Sequence, residues 1–184
     1  MFLECDDSYC GLPSKVQAAC RWALKQGYDY IAKVDDDVIL FPREFRDSNF
    51  QNYDFVGHTN NDHAAIKVPW GFCYILSKKA MEIMSVAQLP QNNNDEAWCA
   101  YTLSAHGILL HHESRYHLYR GRREDFITPT KRPLRAPKRP GCVPLGAPKD
   151  CIAYAIFLHW YGYHATPDEI NIKEYYKLYR ELTQ

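Results

Sequence analysis

The sequence predicts an α/β fold, with helices flanking a sheet, and three observations lead there. Short apolar runs of strand length alternate with amphipathic stretches of helical period along the first two thirds of the chain. A helical stretch closed by Gly27 lies between an apolar start, Phe2 to Cys5, and the run Tyr30-Ile31-Ala32-Lys33-Val34, which gives a β-α-β opening and implies a parallel pair. That second run, expected as a buried strand, ends abruptly in Asp35, Asp36 and Asp37. Open α/β sheets hold their ligands at the carboxyl ends of strands, and this strand delivers three acids there.

The elements follow in order. Pro13 and Ser14 open the first helix, whose apolar face carries Val16, Ala19, Cys20, Ala23 and Leu24. After the acids, Val38 to Phe41 is a second short apolar piece leading into Pro42. Tyr53 to Gly57 reads as a strand, followed by a polar loop from His58 to His63. Pro69 to Phe72 forms a tight aromatic loop before a strand from Cys73 to Leu76. Ser77 is placed to cap a helix with Ala80, Ile83, Met84 and Ala87 inward, ended by Pro90. A further helix runs from Asp95 to about His106, acidic at its start and stopped by Gly107. Ile108 to Leu110 is expected as a strand, with His111, His112 and His117 at or beyond its end. From 121 to 149 the chain turns basic, Pro-rich and Gly-rich, an extended arm or loop. Ile152 to Tyr161 is expected as a helix, and Thr166-Pro167-Asp168-Glu169 starts another that ends near Leu182. Three regions result: a core over 1–120, the arm over 121–149, and C-terminal helices packed on the core over 150–184.

The 184 residues suffice for one domain with a real core, and a hydrophobic fraction of 46% and 14% aromatics exclude a disordered chain. A formal net charge of zero conceals an uneven distribution: residues 115 to 139 carry +7, so the remainder carries −7. The seven cysteines are odd in number, have no metal-type spacing and sit mostly among apolar residues, as suits buried thiols in a reducing compartment. With no signal peptide and no apolar run of membrane-spanning length, a cytoplasmic location and no membrane span are expected.

Three adjacent carboxylates repel one another and are costly to desolvate unless a cation neutralises them. A divalent metal site is the functional interpretation; an acidic surface turn is the plain alternative. The surrounding motifs favour the former. Asp7-Ser8-Tyr9-Cys10-Gly11-Leu12-Pro13-Ser14-Lys15 with Trp22, then Lys33-Val34-Asp35-Asp36-Asp37-Val38, then Gly71-Phe72-Cys73-Tyr74-Ile75-Leu76-Ser77, then Asp95-Glu96-Ala97-Trp98 with Leu103-Ser104 and Gly107-Ile108 occur in order over roughly residues 6 to 118. Together they resemble the GT-A-fold glycosyltransferases of the fringe and beta-1,3-galactosyltransferase type. In order they match that family's D-x-Y-x-N-L-x-x-K helix, K-T-D-D-D-V metal motif, G-G-G-Y-V-L-S strand and E-D-V-Y segment. The resemblance implies a GT-A-like, Rossmann-like mixed sheet flanked by helices. The family's long N-terminal nucleotide-binding portion has no counterpart before Lys15, and the arm and C-terminal helices match nothing in it.

The same resemblance implies an inverting transfer of sugar from a nucleotide diphosphate donor, a UDP-sugar foremost, to an acceptor hydroxyl. A Mn²⁺ or Mg²⁺ ion would bridge the diphosphate, held by Asp37 directly, with Asp35 and with His117 (His112 in reserve); Asp36 would support the metal and ribose. Glu96 falls at the family's base position, with Asp95 one step before it; both also suit the first turn of a helix for its dipole alone. Lys33, Lys15 and Tyr9 are candidates for the donor's phosphates and nucleotide, although the two lysines also serve simply to offset the acids. Trp70, Gly71 and Phe72 are candidates for contact with donor sugar and acceptor. The arm residues Arg120, Arg122, Arg123, Lys131, Arg132, Arg135, Lys138 and Arg139 form either a solvated loop or a polyanion-docking surface. The acceptor is accordingly a glycan or glycoconjugate, or hydroxymethylated bases in DNA. Two other classes compete: a different metal enzyme using the acids on phosphates, such as a nuclease or phosphotransferase, and a non-catalytic nucleic-acid-binding module.

Overall fold

The computed structural model describes residues 5, 8, 11–35, 38–59, 63–118 and 153–155, with backbone alone at 39, 117–118 and 153–155. The chain divides into two compact units, residues 1–36 with 49–114 and residues 37–48 with 115–184. The segment 37–48, expected inside the core, therefore groups with the second unit. The apolar start at Phe2 lies outside the described residues, and with it the parallel pair expected there.

In the first unit α1 (Leu12–Gln26) begins with Pro13 in its first turn and ends at Gly27, whose φ of 77° is the left-handed conformation that glycine tolerates without strain. The Gly27 and Tyr28 N–H groups donate to Leu24 and Ala23 carbonyls at 3.1 and 3.0 Å, which closes the helix. Val16, Cys20 and Ala23 point into the core, as the sequence pattern requires. β1 (Tyr30–Val34), β3 (Phe55–Gly57), β4 (Cys73–Ser77) and β5 (His111–His112) form a mixed sheet in the order β1-β4-β3-β5. β4 is antiparallel to both β1 and β3, while β3 and β5 run parallel.

β4 sits between two partners and is buried at all five positions. β1, expected as a buried strand, is only half-covered, with Ala32 exposed. Among the described residues it pairs with β4 alone.

Ser77 caps α3 (Lys78–Val86): its hydroxyl accepts from the Ala80 N–H at 3.2 Å and donates to Asp54 at 2.6 Å. This helix stops at Val86, four residues before Pro90. Its terminal carbonyls find partners outside the helix. Gln17 donates to Met84 and Ala87, Arg21 to Ser85, and Trp98 to Gln88 just beyond. These bonds bind α3 to α1 and to α4 (Asp95–Ala105). The core joins the three helices to β3 and β4 through Cys20, Ala23, Phe55, Tyr74, Leu76, Met81, Met84, Cys99 and Leu103.

Ile108 to Leu110 is not the strand expected from its apolar run. Gly107, with φ 77°, and Ile108 donate back to Ser104 and Leu103, so Ile108 closes α4 instead of pairing. Ile108 and Leu110 still fill the core, and sheet pairing starts at His111, opposite Val56.

In the second unit β2 (Val38–Leu40) runs antiparallel to β7 (Ala153–Ala155), and β6 (Tyr116–Leu118) runs parallel to β7. The helix expected from Ile152 thus gives way to a strand at Ala153–Ala155; its alternating small and aromatic residues suit a pleated strand equally well. The short helix α2 (Pro42–Arg46) starts at Pro42. The remaining arm and C-terminal expectations lie outside the described residues. Among the described residues, no helix is long and apolar enough to cross a membrane.

Ser77 links a helix cap to the strand before it. Ser77→Ala removes both bonds and is expected to lower unfolding free energy by about 1–2 kcal/mol in denaturant titration, with Ser77→Thr losing less.

Candidate functional site

The β1–β4 register sets Lys33 opposite Tyr74 and Val34 opposite Cys73, and the Asp35 N–H continues the ladder to the Phe72 carbonyl at 3.0 Å. Lys33 and Asp35 lie two residues apart and share a face. The Lys33 ammonium donates to the Asp35 carboxylate Oδ1 and to the Gly71 carbonyl oxygen. It also stands 5.8 Å from the centroid of the Tyr74 ring.

The start of α4 meets this strand end. Asn94 caps the helix by accepting from the Ala97 N–H at 2.6 Å, which places Asp95 and Glu96 in the first turn. Their environments differ. Asp95 is 2% exposed, and its Oδ2 accepts from the Tyr74 hydroxyl at 2.6 Å. The Cys99 thiol in turn donates to the Tyr74 oxygen at 3.8 Å. Glu96 is only half-buried and lies against Gly71, where a Cβ would come within 3.2 Å of the Glu96 Cδ and Oε1. Glycine at 71 is what lets that carboxyl approach the loop.

Burial pushes the Glu96 carboxyl up to about 7, assisted by the hydrogen bond and charge of Asp95 and opposed by its own backbone N–H and by Lys33. Burial likewise raises the Cys73 thiol to about 12 and the Tyr74 hydroxyl well above its ordinary range. Cys73 is thus an inert core thiol, like Cys20, and not a nucleophile.

Of the residues singled out in the sequence, Lys33, Asp35, Gly71, Asp95 and Glu96 come together within the first unit. Lys33 spends its ammonium on Asp35 and Gly71, so its described role is to offset an acid. Lys15 is half-buried on α1. Phe72, a candidate for sugar contact, is 1% exposed, with its ring buried. Trp70 is half-buried, edge-on to His58 at 5.2 Å and to Phe72 at 6.0 Å. His112 accepts from the Thr59 N–H at Nδ1, 3.1 Å away, with the His58 ring 5.0 Å off. Tyr9, Asp36, Asp37, the side chain of His117 and the arm from Arg120 to Arg139 lie outside the described residues. Among the described residues no group of three His, Cys, Asp or Glu side chains gathers as a metal site.

No family model and no curated protein matches the chain.

Tyr74 is the residue whose role the sequence pattern did not disclose. A tyrosine inside an otherwise apolar buried strand needs a partner for its hydroxyl, and that requirement was the available signal. The partner, Asp95, is 21 residues away and only the fold identifies it.

The raised Glu96 carboxyl has a consequence for stability. Its folded-state proton affinity exceeds the unfolded one, so its contribution is fully present below the ordinary carboxyl pKa of 4.5 and is lost as pH rises through about 7. Glu96→Gln is expected to be more stable than wild type at pH 8, by on the order of 1–3 kcal/mol, and to lose that advantage at pH 4. Thermal unfolding across that range measures it.

Proposed function

We propose that this chain is a metal-dependent, inverting glycosyltransferase with a GT-A-like fold. It moves a sugar from a nucleotide diphosphate donor, a UDP-sugar foremost, to an acceptor hydroxyl. One observation carries the proposal. The strand end with Asp35, the glycine loop at Gly71 and the half-buried Glu96 at a helix start converge in one unit, in the motif order that resembles the fringe and beta-1,3-galactosyltransferase family.

The donor set suits a hard divalent ion, Mn²⁺ or Mg²⁺. Asp35 is a carboxylate at a strand end, 33% exposed, with one oxygen held by Lys33. By the same resemblance and not by observed geometry, Asp35, Asp37 and His117 would hold the ion, and once bound it would act as a Lewis acid toward the departing diphosphate. Asp36, Lys15 and Tyr9 are assigned to the donor by resemblance alone.

The protein's own residues perform the rest. Glu96 takes the proton of the acceptor hydroxyl as it attacks the anomeric carbon, a task for which a carboxylate with proton affinity near neutrality is well matched. Gly71 leaves room for that carboxylate beside the loop. Trp70, half-buried, borders the same loop. The buried free thiols Cys20, Cys73 and Cys99 suit a reducing, cytoplasmic setting. The basic arm from Arg120 to Arg139 suits either a solvated loop or a polyanion, so DNA bearing hydroxymethylated bases is tested beside glycans.

A panel of sugar nucleotides with Mn²⁺, read by release of nucleotide diphosphate and by mass spectrometry of acceptors, is the decisive experiment. Turnover is expected to vanish in Asp37→Ala and to fall roughly 10²–10⁴-fold in kcat for Glu96→Gln. The wild-type rate should climb as pH rises through about 7, because Glu96 acts ionised. If no sugar nucleotide is bound or turned over with any metal, the proposal fails; transfer to glycans alone removes DNA as acceptor.

A further inference from the structure

Asp95 and Glu96 are adjacent acids in one helical turn, and either could be named as the group that receives the acceptor's proton. The surroundings separate them. Asp95 is 2% exposed and engaged at Oδ2 by the Tyr74 hydroxyl at 2.6 Å. Tyr74 itself is fully buried in β4, and its oxygen receives the Cys99 thiol. No substrate hydroxyl reaches a carboxylate packed behind that ring. Glu96 is the acid that opens onto the Gly71 loop.

We infer that Asp95 is a positioning residue: anchored by Tyr74, it holds the first turn of α4 against β4 and places its negative charge beside Glu96, which alone exchanges the proton. The inference rests on the glycosyltransferase reading for the reaction, though not for the geometry.

The groups that act on Glu96 come from three elements. Asp95 and Cys99 share its helix, Lys33 faces it from β1, and Tyr74 reaches it from β4 through Asp95. Asp95 raises its proton affinity and Lys33 lowers it. Removing the Asp95 charge while keeping an acceptor for Tyr74 should therefore move Glu96 toward the ordinary carboxyl range.

Asp95→Asn makes that change, and Asp95→Ala removes the anchor as well. The Glu96 carboxyl carbon is titrated by ¹³C NMR in the full chain for wild type and both variants, beside pH–rate profiles. In Asp95→Asn the Glu96 midpoint is expected to fall by roughly half a unit or more, and the acid limb of the rate profile to follow it. Its kcat should drop no more than about tenfold, and Asp95→Ala should lose considerably more. If Asp95→Ala does not fold, Asp95→Asn carries the test. An unchanged Glu96 midpoint overturns the inference, as does an Asp95→Asn enzyme as inactive as Glu96→Gln. If the wild type turns over no sugar nucleotide, the functional proposal falls and the NMR arm still decides the role of Asp95.

Discussion

The pairing of β1 with β4 in a register that sets Lys33 against Tyr74 organises the candidate site. Directly opposed residues of an antiparallel pair project to the same face, and here each carries a different half of the site. Lys33 reaches the Asp35 carboxylate and the Gly71 carbonyl; Tyr74 reaches Asp95 at the start of α4. Because side chains alternate with a period of two, a slip of one residue in β4 would turn Tyr74 to the other face. Asp95 would then be a buried carboxylate without its donor, a state costing several kcal/mol by ordinary desolvation estimates. The register is thus enforced by the same bond that fixes the acidic helix start.

Charge placement around that pair follows from burial as much as from Coulomb attraction. Asp95 is desolvated yet satisfied by a neutral donor, whereas Asp35 is more exposed and paired with an ammonium. Glu96 stands between them in character, half-buried, with Asp95 favouring its protonated form and Lys33 its ionised form. Two carboxylates one residue apart consequently stand in different environments, because one is closed off by a tyrosine and the other borders a glycine.

Local chemistry was legible in the sequence wherever one or two residues decide the outcome. Pro13, Gly27, Ser77 and Gly107 mark helix starts and stops, and the structure uses each as such. The start of α4 at Asp95 was legible from its acids. What depended on partners was not. Ala32 stays exposed although β1 pairs with β4, and the fate of Ile108 rests on a carbonyl five residues back. Ala153–Ala155 has too little periodicity to separate strand from helix, so pairing with β2 and β6 decides it. Within the aromatic loop, Phe72 and Trp70 look alike in sequence, but the all-buried strand starting at Cys73 draws Phe72 inward.

The glycine at 71 shows what such a site asks of the fold. A Cβ there would press on the Glu96 carboxyl at 3.2 Å, and a glycine in a loop raises the entropy lost on folding. Glu96 adds a second cost, since the folded protein opposes its ionisation through the pH range in which it would work. A chain selected for stability alone would place an amide at 96 and a larger residue at 71. On the proposed reading, a destabilised acid beside an open loop, with Asp95 held in place behind it, would serve proton transfer.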